Sequence, residues 1–218
     1  QPSEGGEPIQ LTENNDTYIR QLMWSPNSKK VLYTDRKNRI VEVDVNSKSK
    51  KTVMQNPEEE FYSVNYSPDS QWITYTKSGK NNMSVVYLYH LTSGKEYPVT
   101  EKWYDSSSPC FSTDGKYLIF TSERDFNPIY SQTEWNHAYN RMGGVYIALL
   151  AKDTPSPFLP SDEKISIEDN ASGNKAATKE NKADNKADQA TGVTIDTEGL
   201  PGRLLKLPLA AGYYYQLY

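Results

Sequence analysis

Trp24-Ser25-Pro26-Asn27-Ser28-Lys29-Lys30-Val31-Leu32-Tyr33-Thr34 decides the fold, because the same eleven-residue pattern returns twice. The second copy is Tyr66-Ser67-Pro68-Asp69-Ser70-Gln71-Trp72-Ile73-Thr74-Tyr75-Thr76, and the third is Phe111-Ser112-Thr113-Asp114-Gly115-Lys116-Tyr117-Leu118-Ile119-Phe120-Thr121. The leading aromatic residues lie 42 and 45 residues apart. In each copy an aromatic residue closes one short strand, a Ser-x-Asp/Asn turn follows, and an alternating apolar strand resumes, which is an antiparallel hairpin. Asp69 and Asp114 fall at equivalent turn positions, where a carboxylate accepts backbone N–H groups.

Working outward, Arg39 to Val45 and Ser84 to Leu91 are β-rich third strands, each leading into a polar turn. Lys51 to Gln55 and Glu96 to Thr100 read as fourth strands. Pro8-Ile9-Gln10-Leu11-Thr12 carries the same fourth-strand signature and is expected to be the outer strand of a preceding unit. Four short strands per repeat at this period predict an all-β fold of four-stranded antiparallel β-propeller blades, with a β-sandwich as the alternative. The expected plan is an outer strand in 1–12, blades in 17–56 and 60–101, a third blade in 104–209, and the start of the next blade in 213–218. A ring needs about four to eight blades. About three blades with flanking strands leave it incomplete, so the chain reads as an internal segment of a larger ring.

The third blade is interrupted twice. The first insertion, 123–143, is rich in aromatics and amides, and is expected to be an ordered loop that either packs on its neighbours or serves function. The second, 161–192, is almost devoid of apolar residues and cannot offset its ordering entropy, so a mobile tether is expected. The strand pattern resumes over Gly202 to Leu209, where Pro208 suits an outer edge.

Composition narrows the function classes. The 218 residues carry 24 Lys+Arg against 28 Asp+Glu, 36% hydrophobic residues and one cysteine, with a mean hydropathy of −0.79. The near-balanced, dispersed charge gives no nucleic-acid footprint, and no run is long enough for a membrane span. Cys110 alone excludes a disulfide framework and a Cys-based zinc site. His90 and His137 are the only histidines, and neither sits in a catalytic motif; no Gly-x-Ser-x-Gly elbow is present. His90 reads as a surface or blade-packing residue. Glu134 with His137 offers two metal ligands where several are needed. Gly143-Gly144 reads as a turn into a strand, and Glu58-Glu59-Glu60 as a solvated acidic run. No catalytic residue, metal ligand or cofactor is expected. Tyr130, Glu134, Trp135 and His137 are the candidates for a peptide-facing loop.

Three stretches carry a family resemblance: Arg124 to Tyr139, Val145 to Phe158 with its Lys152-Asp153-Thr154-Pro155 run, and Ile195 to Gly212. They resemble the tricorn protease family in its bacterial branch, over roughly Glu7 to Tyr218. The resemblance implies a parent serine peptidase with a six-bladed and a seven-bladed propeller, a PDZ-like domain and a separate catalytic region with a serine nucleophile and a histidine base. This segment would match middle blades of the seven-bladed propeller, acting as scaffold and substrate-access gate. The implied partners are the remaining blades and catalytic domains of the parent, further copies of it, and peptide substrates. The resemblance implies a cytoplasmic location, with an exported one as the alternative. The Asn/Lys/Ala-rich insertion departs from the family pattern. Two other readings compete: a stand-alone binding propeller, and the propeller of a prolyl-oligopeptidase-type enzyme.

Overall fold

The computed structural model describes residues 5–13, 16–78, 81–125, 129–130, 137–138, 142–159, 192–215 and 217. Strands β1 (Ile19–Trp24), β2 (Lys30–Asp35), β3 (Arg39–Asp44) and β4 (Lys50–Gln55) pair in sequence order as one antiparallel sheet. Strands β5 (Phe61–Tyr66), β6 (Trp72–Ser78), β7 (Ser84–His90) and β8 (Lys95–Pro98) form the second. The third sheet orders β9 (Ser106–Phe111), β10 (Tyr117–Ser122), β13 (Gly144–Leu149) and β14 (Leu204–Lys206). Between β10 and β13 lies a two-stranded ladder, β11 (Ile129–Tyr130) and β12 (His137–Ala138). The fold is therefore all-β, with three four-stranded blades in an arc that does not close a ring.

The hairpin turns explain why the repeat is written as Ser-x-Asp/Asn. In each copy the serine hydroxyl accepts the N–H five residues on, from Lys30, Trp72 and Tyr117, at 2.9, 2.9 and 3.0 Å. The same hydroxyl meets Asn27, Asp69 or Asp114 at 2.8, 2.6 and 2.6 Å. The side-chain oxygen of that residue also accepts the N–H two positions later, at 3.1 Å in all three turns. The residue closing each turn lies in the left-handed region, with φ of 58° at Ser28, 61° at Ser70 and 68° at Gly115. Glycine at 115 has a second reason: a Cβ there would stand 2.8 Å from Val193 Cγ2.

Antiparallel pairing puts Ser106, Ser122 and Gly144 at one end of the third sheet, and Phe111, Tyr117 and Leu149 at the other. The arc thus has a turn face, carrying the three Ser-x-Asp/Asn turns, and an opposite loop face. The aromatic-rich insertion leaves β10 on the loop face. The insertion between β13 and β14 leaves on the turn face, so the two emerge on opposite sides of the ring. The tether expectation for 161–192 falls outside the described residues except at Gly192.

Adjacent blades bury their facing surfaces. Between the first and second lie Leu32, Ile40, Phe61, Val64, Tyr66, Ile73 and Tyr75. Between the second and third lie Val86, Leu88, Val99, Leu118, Phe120, Tyr146, Ala148, Leu150 and Leu200. Each fully buried aliphatic or aromatic side chain here contributes about 1.5–3 kcal/mol. The outward face of the first blade, Tyr33, Val41 and Val43, is packed by Leu11. The segment expected to be an outer strand, Pro8 to Thr12, forms no strand pairing. Likewise Tyr213 to Tyr215 and Leu217 form no strand, and the last strand of the third blade is three residues long, ending before Pro208.

The innermost strands β1, β5 and β9 run in the same direction and converge. Gln21 Oε1 accepts the Val64 N–H at 3.3 Å, and Asn65 Nδ2 donates to the Pro109 carbonyl at 2.8 Å. All three inner strands carry a register irregularity against their partners. In β5 and β9 it coincides with serines at positive φ, Ser63 at 50° and Ser108 at 53°. A bulge of this kind twists an open strand edge and blunts its capacity to pair with another chain.

Candidate functional site

Among the described residues, the loop face holds most of the exposed aromatic side chains. Tyr18, Tyr62, Trp103, Tyr104, Tyr213 and Tyr215 all sit at or beside the ends of strands that open on this side, and Trp103 is 81% exposed. On the first blade a charge network fixes the β2–β3 hairpin. Asp35, buried, accepts the N–H groups of Lys37 and Arg39 at 2.9 and 3.1 Å and pairs with the Arg39 guanidinium at 2.7 Å. Asp16 bridges Lys37 and Arg39, each at 2.6 Å. These two donors hold the Asp16 carboxyl down at about 2, from an ordinary 3.8. Arg20 reaches Glu60 of the next blade at 2.6 Å, and Tyr62 donates to the same carboxylate at 2.6 Å, so the Glu60 pKa is lowered.

On the third blade the loop face is built on two hydroxyl pairs across β9 and β10: Ser106 with Ser122 and Ser107 with Thr121, both at 2.9 Å. Arg124 donates to Ser122 Oγ at 3.1 Å and lies over the rings of Tyr104 and Tyr146, 5.4 and 5.7 Å from their centroids. Asp125 pairs with Lys206 at 2.6 Å and accepts from the Tyr146 hydroxyl at 3.3 Å. Burial, then the Asp125 charge, push the Tyr146 phenol up to about 12. Gly143 bridges to Gly212, whose N–H donates to its carbonyl at 2.8 Å. A Cβ on Gly143 would stand 2.5 Å from the Gly212 oxygen, so this approach admits glycine alone. The bridge brings the segment Tyr213 to Tyr215 against the third blade and closes a cavity of about 260 Å³ with Asp105, Ser107, Thr121, Ser122 and Glu123.

Of the four residues expected to face peptide, Tyr130 is half exposed and stands opposite His137 in the β11–β12 ladder. Glu134 and Trp135 lie outside the described residues. His90 lies toward the turn face, its ring 4.5 Å from that of Trp72 and its Nδ1 2.8 Å from Ser93 Oγ. Cys110 is buried, and burial pushes its thiol pKa up, the reverse of what a nucleophile needs. Among the described residues no group of three or more His, Cys, Asp or Glu side chains is placed to hold a metal ion. No helix among them is long and apolar enough to cross a membrane. The loop face thus presents aromatic rings, hydroxyls, carboxylates and the guanidinium groups of Arg20, Arg39 and Arg124 at the sheet ends.

Sequence reasoning missed the contacts that tie the chain after the second insertion. Val193 N–H donates to Asp69 Oδ2 of the second blade at 2.8 Å. Arg203 donates to the carbonyls of Leu149, Glu198 and Leu150 at 3.0, 2.8 and 3.2 Å, and also to that of Asp196. Asp69 reads in the sequence as a turn residue, and one of its oxygens does fill that role; its other oxygen has no local signal.

Known proteins share this architecture. The Streptomyces coelicolor protein named Tricorn protease homolog 1 is 27% identical over 199 residues, which cover 91% of this chain and 18% of that protein. The Saccharolobus solfataricus Tricorn protease homolog is 25% identical over 153 residues, 70% of this chain and 14% of that one. The chain thus spans less than a fifth of the length of these relatives. The crystal structure of the tricorn protease superposes with a TM-score of 0.70 at 17% identity, over 94% of this chain and 18% of that chain, a likeness of fold. The family model described as the tricorn protease second beta propeller domain matches residues 1–218, and the chain belongs to that family.

Proposed function

We propose that this propeller segment is a non-catalytic scaffold and substrate-access gate of a tricorn-like serine peptidase, passing unfolded peptide along the ring axis toward a catalytic region elsewhere in the parent. The observation that carries this reading is the row of innermost strands. β1, β5 and β9 run in parallel, are cross-tied by Gln21 and Asn65, and present Arg20, Gln21, Ser63, Asn65, Ser107 and Ser108 along the inner edge. Such an edge mixes these polar groups with the exposed Ile19, Leu22 and Trp24 of β1, is blunted by bulges and is cross-tied to its neighbours. It suits a conduit that lets an extended chain slide without capturing it by strand addition. Selectivity by access then needs no residue here to touch the scissile bond. The candidate loop residues Tyr130, Glu134, Trp135 and His137 belong to the insertion that emerges on the loop face, and we assign them to peptide contact at the entrance.

The test uses the full-length protein. A Ser63→Cys thiol, at a position that already tolerates positive φ as a non-glycine residue, is capped with a polyethylene glycol maleimide, and Lys95→Cys on the exposed outermost strand β8 is the control. The buried Cys110 thiol stays unmodified. Cleavage of an unfolded polypeptide should fall several-fold with the polymer at the first position and stay unchanged with it at the second. Equal rates at both positions would end the gate reading.

A further inference from the structure

The cavity between the third blade and Tyr213 to Tyr215 has a chemistry that the gate reading does not use. Its lining residues are Asp105, Glu123, three hydroxyl residues, two glycines and three consecutive tyrosines, with no Lys, Arg or His among them. The two acidic residues are held next to each other by the backbone, since the Glu123 N–H donates to the Asp105 carbonyl at 2.9 Å. Asp105 is itself anchored, its Oδ1 accepting the Ser84 N–H of the second blade at 2.8 Å. Of the nearby cations, Lys206 pairs with Asp125, while Arg124 lies over Tyr104 and Tyr146 and donates through Nε to Ser122 Oγ at the cavity wall, 3.1 Å away. On the opposite wall the rings of Tyr213 and Tyr215 stand parallel, 3° apart in plane with centroids 6.4 Å apart. Both are largely exposed.

We infer that this cavity is a subsite for an organic cation carried by a peptide, the guanidinium of an arginine or the ammonium of a lysine. Three features converge on that class. Two carboxylates without a counter-charge in the lining favour a cation. Tyrosine faces add attraction to a positive group and apolar surface for its aliphatic stem. The Ser107 and Thr121 hydroxyl oxygens supply acceptors for its N–H groups, Ser122 being occupied by Ser106 and Arg124. A volume of about 260 Å³ accommodates one long side chain and excludes a folded element. The cavity opens beside β9, an innermost strand, so a cation held there would pause the peptide at the ring's inner edge. The inference rests on the proposed passage of peptides and names the residue class that the passage favours.

The experiment compares two fluorescent, N-acetylated Gly/Ser peptides binding to the full-length protein, one with a central arginine and one with citrulline, which keeps the shape and loses the charge. Peptide integrity is checked by mass spectrometry. The arginine peptide should bind roughly tenfold more tightly, and Glu123→Gln combined with Asp105→Asn should bring it to the citrulline value while leaving the citrulline peptide unaffected. Glu123→Gln alone, at an exposed position, should reduce the preference without risk to the fold; the Asp105→Asn change keeps a carbonyl acceptor for the Ser84 N–H. Equal binding of both peptides would overturn the cation subsite and leave the gate reading standing. A preference that survives the double variant would place the cation elsewhere and overturn it too. Binding of neither peptide would overturn the cation subsite and leave standing the gate reading, which needs no capture of peptide.

Discussion

The two blade interfaces are solved differently. Between the first and second blades the apolar core surrounds a buried polar pivot: Tyr66 donates to Glu42 Oε1 at 3.0 Å across the interface, and Lys30 closes the triad at 2.7 Å on the other oxygen. Glu42 is buried while Lys30 is partly exposed, so the charge pair reaches solvent at one end only. The interface between the second and third blades is sealed instead by apolar residues that arrive late in the chain. Leu200, fully buried, joins Leu118, Phe120 and Leu150, with Val193 and Ile195 packed on the same cluster. The first interface is thus assembled from strands that are neighbours in sequence. The second is complete only when the chain returns from its insertion, and it is held there by Asp69 and Arg203. A blade tolerates a long insertion when the returning ends are tied to its neighbour and to its own carbonyls, because loop length by itself adds little to closure cost.

This contrast can be broken at the returning segment with the largest effect. Leu200→Ala should cost about 2–5 kcal/mol through lost burial and the cavity it leaves. Hydrogen exchange in the full-length protein should accelerate in β10 and β13, with β2 and β3 unchanged; protection lost equally in both sets would mean that the two interfaces are one cooperative unit. Tyr66→Phe sharpens the other side. It removes one hydrogen bond to a buried carboxylate, worth about 1.5–3 kcal/mol, and should loosen β2, β3 and β5 while sparing β13. The same read-out decides it, and an effect confined to β13 would refute the assignment of the pivot.

The smallest effect lies outside both interfaces. Asp16 titrates at about 2 in the folded chain against 3.8 as its ordinary value. Between those values the unfolded chain binds more protons, so its contribution is present above pH 3.8 and is lost as pH falls through about 2. Asp16→Asn should therefore flatten the acid limb of protection at the β2–β3 hairpin, measured by exchange from about pH 5 to about pH 2. An unaltered limb would show that the Lys37 and Arg39 contacts carry no weight.

What the sequence reveals follows from distance along the chain. The Ser-x-Asp/Asn turns are legible because every partner lies within five residues, and so are the strands that flank them. The Glu42–Tyr66 pivot spans two blades and looks, in the linear text, like a polar residue on an apolar strand. The Asp69–Val193 tie bridges 124 positions. The bulge serines, Ser63 and Ser108, have no signature, since serine at positive φ is fixed by the register of neighbours. The cavity beside Tyr213 is hidden for the same reason: its walls come from separated stretches, joined by the close approach of Gly143 and Gly212 that only an assembled blade creates.

The opposite placement of the two insertions has a practical corollary. One side of the arc meets whatever approaches the aromatic rings, and the other carries Leu159 and Gly192, the last and first described residues around the Asn/Lys/Ala-rich stretch. A reporter domain or affinity handle spliced between them would hang from the far side of the disc. The label and the aromatic loop face are thereby separated by the thickness of the sheet itself, and the splice leaves that face untouched.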